Sequence, residues 1–307
     1  MDNCYPIFID SGYPWGCQGM KSGAGKLLRD MGIELGQIGI WQRAADLTPE
    51  LAAEVERLGY GSIWIGGSPG GDLAIVENLL DTTDRIAVAT GIVNVWRDDA
   101  GTIAAAYHRI AARHPDRFLL GVGIGHPEAT QEYRQPYATL VSYLDRLDEA
   151  GVPKDARALA ALGPKVLELS AARSAGAHPY LTTPDHTRWA RQLLGAGPLL
   201  APEQKVVLDT NSERARAIAR RAVANPYLRL TNYVGNLRRL GWTDADIADD
   251  GSDRLVDALV AQGDPASISS GVIAHLAAGA DTVAVQALGG DPLSTFRALA
   301  DHLPLAR

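Results

Sequence analysis

Short β-branched and leucine-rich runs that each stop at glycine recur along this chain of 307 residues. The clearest are Ser62-Ile63-Trp64-Ile65-Gly66-Gly67, Ala87-Val88-Ala89-Thr90-Gly91 and Leu119-Leu120-Gly121-Val122-Gly123-Ile124-Gly125. A run without polar alternation suits a strand buried on both faces, as in a parallel sheet covered by helices. A glycine just past the end of such a strand leaves the backbone open to a closely approaching ligand. Repeated in one chain, the pattern predicts a parallel barrel with its site at one mouth.

From Leu35 onward strand and helix signals alternate, with candidate strands at 35–40, 62–65, 86–93, 118–123, 157–162, 177–181, 205–209 and 281–287. Thr48-Pro49, Thr183-Pro184, Asp264-Pro265 and Asp291-Pro292 each set an oxygen-bearing N-cap before a proline at the first helical position. Thr210 with Glu213 reads as a capping box, and Gly59, Gly176 and Gly279 read as left-handed helix C-caps. Tyr137, Leu140, Val141, Leu144 and Leu147 recur at helical spacing and form one apolar face. Eight βα units in about 270 residues fit an α/β TIM (β/α)8 barrel.

The domain expected is 34–307, preceded by an N-terminal extension, 1–33, made of turn material such as Gly12-Tyr13-Pro14-Trp15-Gly16. Segment 225–263 reads as a helical insertion between strands seven and eight, one helix running through Tyr227, Leu230, Tyr233 and Leu237 and another over 253–260. An insertion there would cover the barrel mouth, or serve as dimer surface or extra packing. Within the extension, residues 19–27 resemble a phosphate-binding loop, but five residues rather than four separate Gly19 from Gly25, and Leu27 stands where the motif needs Ser or Thr.

A hydrophobic fraction of 46% is ample for one large core, and a net charge of -7 with scattered Lys and Arg argues against nucleic-acid binding. Only Cys4 and Cys17 occur, with no Cys/His spacing of a zinc site, so a reducing, cytoplasmic setting and no metal are expected. No apolar run approaches the roughly 18–20 residues of a membrane span, and the start of the chain lacks the pattern of a signal peptide.

In a TIM barrel the site lies at the C-terminal strand ends, so position selects the candidates. These ends carry Gly66, Gly67 and Ser68; Gly91, Ile92 and Asn94; Gly123, Gly125 and His126; Gly163; and His178, Thr182 and Thr183. The set is rich in glycine and poor in charge, without the carboxylate pair, strand lysine or metal cluster of a hydrolase or aldolase. It suits a flat cofactor that brings its own chemistry to a small-molecule substrate. Thr182 and Thr183, before a proline-started helix, could hold a phosphate, although Thr183 is first of all an N-cap. His178 within a strand reads as a satisfied core histidine ahead of a proton donor, Asn94 as satisfying its own turn or bonding a ring edge, and His126, in a loop where exposure is the default, as the better acid or base by its place at a strand end.

Ile38-Gly39-Ile40-Trp41, Leu58-Gly59-Tyr60-Gly61-Ser62-Ile63-Trp64-Ile65, Ala89-Thr90-Gly91-Ile92-Val93-Asn94 and Arg117-Phe118-Leu119-Leu120-Gly121-Val122-Gly123 resemble the luciferase-like monooxygenase superfamily. Ala161-Leu162-Gly163-Pro164-Lys165 and the run from Gly279 to Gln286 continue the likeness, which omits the first thirty-odd residues. The whole is most similar to the branch that uses the deazaflavin coenzyme F420. The resemblance implies a barrel, often dimeric, with the deazaflavin across the strand ends and a cis peptide at Gly91-Ile92 against its ring. It also implies ring contact at Asn94, backbone contact at Gly123 and Gly125, phosphate and ribityl contacts near Gly163 and Thr182, and hydride transfer at C5. Relatives that oxidise alcohols or sugar phosphates carry an Asp-His pair after strand two and a Glu after strand four, whereas this chain has Gly67-Ser68 and Gly125-His126. Reduction of an activated C=C or C=O, with His126 or Tyr233 supplying a proton, is therefore the expected reaction. The alternatives are an FMN-dependent monooxygenase on the same barrel and a barrel that binds flavin or ligand without catalysis.

Overall fold

In the computed structural model, which describes residues 32–126 and 134–306, all eight apolar runs form parallel strands. In chain order these are Ile38–Arg43, Ser62–Gly66, Ala87–Thr90, Phe118–Gly123, Arg157–Leu159, Gly176–Ala177, a two-part seventh strand of Leu199–Leu200 and Glu203–Leu208, and Val283–Ala287. The first six pair in sequence order. The ring closes through the seventh: Leu199–Leu200 pairs with the sixth strand, and Glu203–Leu208 pairs with the eighth. Pro202 lacks an N–H and interrupts the ladder, but its carbonyl accepts from Ala284 N at 2.9 Å, while Ala201 N donates to Ala177 O at 2.9 Å. The eighth strand returns to the first in the register Ile38↔Val283 to Ile40↔Val285. The expected TIM barrel is the architecture observed.

Each strand is covered on both faces, which explains the lack of polar alternation. Ile38, Ile40, Ile63, Trp64, Ile65, Val88 and Leu119 are all buried. Amphipathic helices form the outer layer; Pro49–Arg57, for example, buries Leu51, Ala52 and Val55 and is started by Thr48 Oγ1, which accepts from Leu51 N. Thr183, Asp264 and Asp291 cap their helices in the same way.

Two capping expectations are corrected. The helix Ser212–Ala224 is capped by Asn211, which accepts from Arg214 N at 2.9 Å, and not by Thr210. Asp209, ion-paired with Arg214, accepts the Asn211 N–H and moves the helix start one residue on. Gly176 opens the sixth strand instead of ending a helix. The Ser174 hydroxyl lies within hydrogen-bond reach of both the Ser170 and the Gly176 carbonyls and ties helix to strand. The third run stops at Gly91-Ile92, whose peptide is cis as the resemblance implies, and resumes as Val93–Asn94 beside the fourth strand.

Segment 225–263 holds the turn Tyr227–Arg229, the helices Thr231–Arg239, Asp244–Ile247 and Asp253–Leu259, and the short strand Val260–Gly263. The single helix expected across Tyr227 and Tyr233 is broken at Leu230, whose backbone is extended. The short strand runs parallel to the seventh barrel strand at its C-terminal end, anchoring the segment at the rim. Residues 1–31 of the expected extension, with the phosphate-loop resemblance at 19–27, Cys4 and Cys17, lie outside the described residues. Among the described residues no helix is long and apolar enough to cross a membrane.

Gly121 tests the tightness of the barrel wall. A Cβ there would collide with the Thr90 carbonyl oxygen, a backbone atom, and the Thr90 hydroxyl already bonds both the N–H and the C=O of Gly121 at 2.8 Å. Gly121→Ala is expected to lower stability by about 1–3 kcal/mol or more. Gly235→Ala, where a Cβ meets nothing within 4 Å, should leave it unchanged or raise it by up to about 1 kcal/mol. Urea midpoints of the two variants check this.

Candidate active site at the barrel rim

His126 follows Gly125, whose left-handed backbone (φ 61) turns the chain off the fourth strand at the rim. Segment 225–263 meets it there. Asn232 Nδ2 lies 3.3 Å from His126 Nδ1, and the Tyr233 and Tyr227 rings lie 5.5 and 6.4 Å from the imidazole, both edge-on. The aromatic contacts continue across the mouth, Tyr233 to Tyr227 at 4.9 Å, Tyr227 to Tyr180 at 5.4 Å and Tyr180 to Trp41 at 5.0 Å. Burial raises the Tyr233 phenol well above its ordinary range, so it stays protonated. The two residues expected to supply a proton are thus adjacent, although 107 positions separate them (233 − 126).

Beneath these rings lies a charged pair that the sequence reading of uncharged strand ends missed. Lys205 and Glu203 occupy alternate positions of the seventh strand, both facing inward and both fully buried, with Lys205 Nζ 3.1 Å from Glu203 Oε1. Lys205 also donates to Gln286 Oε1 at 2.8 Å, which accepts from the Tyr180 hydroxyl at 2.9 Å as well. The ammonium lies 3.8 Å from the Tyr180 ring centroid, 5.5 Å from that of Tyr227 and 6.0 Å from that of Trp41. Glu203 Oε2 accepts from Leu181 N at 3.0 Å. Burial pushes the Glu203 carboxyl up and the Lys205 ammonium down, and each partner partly restores the other. The signal was the Glu-Gln-Lys spacing at 203–205, which puts both charges on one face of a strand, but the expected strand began only at Lys205.

The rim glycines fall into two groups. Four are covered by the chain's own side chains: a Cβ would meet Trp41 at Gly66, Trp41 and His178 at Gly91, Ile92 at Gly123 and Asn94 at Gly125. Gly67, where a Cβ meets nothing within 4 Å, and Gly163, where it meets only Arg239 Nη2 at 4.0 Å, keep their backbones uncovered. Asn94 Oδ1 accepts from Trp96 N at 3.0 Å, satisfying its own turn. Ile92 packs its side chain against Gly123.

Gly163 precedes the helix Pro164–Arg173, whose start has no side-chain cap. Arg239 stands at this opening, held by Asn236 Oδ1 at 2.9 Å with its guanidinium 5.5 Å from the Trp189 ring, and the sequence reading did not single it out. On the neighbouring loop the buried Thr182 hydroxyl has no partner, while Thr183 Oγ1 accepts from His186 N. His178 is buried against Trp64, the rings stacked at 4.2 Å, with Nδ1 2.6 Å from the Ala201 carbonyl. A cavity of about 700 Å³ opens beside the rim, with Thr183, Asp185, Trp242 and Gln262 in its wall, but neither His126 nor Trp41 reaches it.

Residues 31–150 match the family model of the luciferase-like monooxygenases. In fold the chain is similar to an F420-dependent secondary alcohol dehydrogenase solved with an F420-acetone adduct, at TM-score 0.69 and 12% identity over 89% of this chain and 99% of that one. It is likewise similar to the coenzyme F420-dependent tetrahydromethanopterin reductase of Methanopyrus kandleri, at TM-score 0.65 and 13% identity over 88% and 98%. The oxygenating constituent of the 3,6-diketocamphane monooxygenase of Pseudomonas putida, in complex with FMN, matches at TM-score 0.62 and 14% identity over 89% and 100%. No curated protein matches the chain in sequence.

Buried histidines give the protein an acid-side liability. Burial holds His178 and His186 down to about 4 and His275 to about 3, against 6.5 for an exposed histidine. As pH falls from about 6.5 towards 4, the unfolded chain takes up protons that the native state refuses. Stability is therefore full above this window and declines through it, by up to about 1.4 kcal/mol per pH unit for each histidine, with Glu203 acting in the opposite sense. Urea unfolding at about pH 7 and about pH 5.5 should show the decline, with a shallower pH slope in His275→Gln. Lys205→Met, which strands Glu203, should cost about 3–5 kcal/mol at neutral pH, and adding Glu203→Gln should recover part of the loss in the same assay.

Proposed function

We propose that this chain is an oxidoreductase that holds a flavin-type cofactor, coenzyme F420 in our reading, across the barrel rim and reduces an activated C=C or C=O of a small organic substrate. The observation that carries the reading is the meeting of His126 with Asn232 and Tyr233 over a rim whose Gly67 and Gly163 backbones are uncovered. Two further features fit such a cofactor: the uncapped start of the helix Pro164–Arg173 and the unpartnered Thr182 hydroxyl. When bound, the cofactor supplies the hydride chemistry that protein side chains lack.

The chain's own residues bind, orient and protonate. Amide N–H groups at the start of the helix Pro164–Arg173, with Arg239 above them, suit a phosphate, since both the charge and the helix dipole favour an anion. Gly67 offers its backbone to a closely packed ring. Asn232 Nδ2 donates to His126 Nδ1, which fixes the orientation of the imidazole and the tautomer with its proton on Nε2. Tyr227 and Tyr233 pack edge-on against the His126 ring, where they would limit the access of water to it.

A second reading, an FMN-dependent monooxygenase, is supported by the similarity in fold to the FMN-bound diketocamphane monooxygenase constituent. Fluorescence titration separates the two. Tight binding of F420 without binding of FMN is expected, and FMN binding with oxygen consumption would overturn the first reading. Arg239→Ala should weaken cofactor binding by about tenfold or more, the worth of a charge-assisted hydrogen bond. His126→Ala should leave binding intact and cut turnover by about 100-fold or more. Unchanged turnover in that variant would remove His126 from the reaction.

A further inference from the structure

Arg43 ends the first strand, two positions beyond Trp41, and side chains two apart leave a strand on the same face. That face is the barrel interior, since the Trp41 ring packs on Tyr180 and lies 6.0 Å from the ammonium of the inward-facing Lys205. Arg43 therefore stands on the axis side of the C-terminal strand ends, where a TIM barrel meets its ligand.

Its surroundings fit that place. Every other residue of its strand is buried, but Arg43 is exposed, and its side chain makes no hydrogen bond or ion pair among the described residues. Deeper in the barrel Lys205 and Glu203 neutralise each other, so the guanidinium charge at the mouth is left to be met from outside the chain. In register Arg43 lies beside Gly66, which puts the uncovered backbone of Gly67 next to it. Burial raises the Tyr227 phenol, and the Arg43 charge works against that rise. Tyr227 also stands edge-on to His126, so one tyrosine has both the guanidinium and the imidazole as neighbours.

The cofactor phosphate has a different place. In the functional reading it lies at Gly163 and Arg239, past the fifth strand, and in a closed ring of eight the fifth strand is opposite the first. An anion at Arg43 then belongs to the substrate.

We propose that Arg43 binds the carboxylate of the substrate, and that the substrate is a small acid whose C=C or C=O is conjugated to that carboxylate. The proposal rests on the functional reading above. A planar guanidinium forks onto two carboxylate oxygens, which orients a flat acid as well as holding it. The reaction adds one hydride, from the reduced flavin-type cofactor, and one proton, from His126 in that reading, across the conjugated bond and leaves the carboxylate unchanged.

The test compares crotonate with its uncharged analogue crotonamide by saturation-transfer NMR on the full chain, with F420 and without it. Crotonate is expected to bind about tenfold or more tightly, the worth of a charge-assisted hydrogen bond. Arg43→Gln, which breaks no side-chain bond of the described residues, should remove that difference and leave F420 binding, read by fluorescence, unchanged. Arg43→Lys should keep part of it. Equal binding of the two probes, or binding of neither, overturns the proposal, as does a preference for crotonate that survives in Arg43→Gln. A loss of F420 affinity of about tenfold in that variant, which would give Arg43 to the cofactor, also overturns it. Displacement of crotonate by lower concentrations of inorganic phosphate overturns it as well, in favour of a phosphorylated ligand. Failure of the functional reading shows separately, as absence of F420 binding, and the crotonate comparison without F420 then still decides the role of Arg43.

Discussion

A lysine ammonium inside a barrel must have acceptors on every side, and much of the mouth is arranged around that requirement. Lys205 is met by Glu203 from its own strand, by Gln286 from the eighth strand and by the ring of Tyr180 just past the sixth. Three neighbouring parts of the barrel wall are thereby locked in register by side chains as well as by backbone. Removing one partner would leave a charge in a medium that solvates it poorly, so the group behaves as a unit. The second layer of rings, Trp41 and Tyr227, presents aromatic faces to the same cation.

This arrangement also fixes where segment 225–263 sits. Tyr227 rests over the lysine cage and touches Tyr180, while the helix that follows carries Asn232 and Tyr233 to His126. The short strand Val260–Gly263 pins the other end of the segment to the seventh strand. The rim is therefore divided. Trp41 covers Gly66 and Gly91 at the ends of the second and third strands, whereas the backbone stays open at Gly67 and Gly163.

The strand glycines show how far sequence reasoning reaches. Their recurrence at strand ends correctly indicated a parallel barrel, because an apolar run ending in glycine depends only on local backbone and burial. Their individual meaning was not legible. Gly121 and Gly176 are required by backbone passing close by, and Gly66, Gly91, Gly123 and Gly125 by side chains of this chain that come from other strands or turns. The caps divide in the same way: Thr48, Thr183, Asp264 and Asp291 act locally as read, whereas Thr210 lost its place to Asn211 through the ion pair of Asp209 with Arg214.

The sequence by itself determined the barrel, its strand order and the rim position of His126, since periodicity, capping residues and the rule that sites sit at C-terminal strand ends are local or topological. Only the tertiary structure decided that Tyr233 and Asn232 reach His126, that Arg239 stands over Gly163, and that Glu203 and Lys205 share the barrel interior with Gln286 and Tyr180. Most of these contacts join residues distant in the chain, from segment 225–263 or from neighbouring strands, and apart from the Glu203–Lys205 alternation no spacing along the chain encodes which side chains a closed barrel will bring face to face.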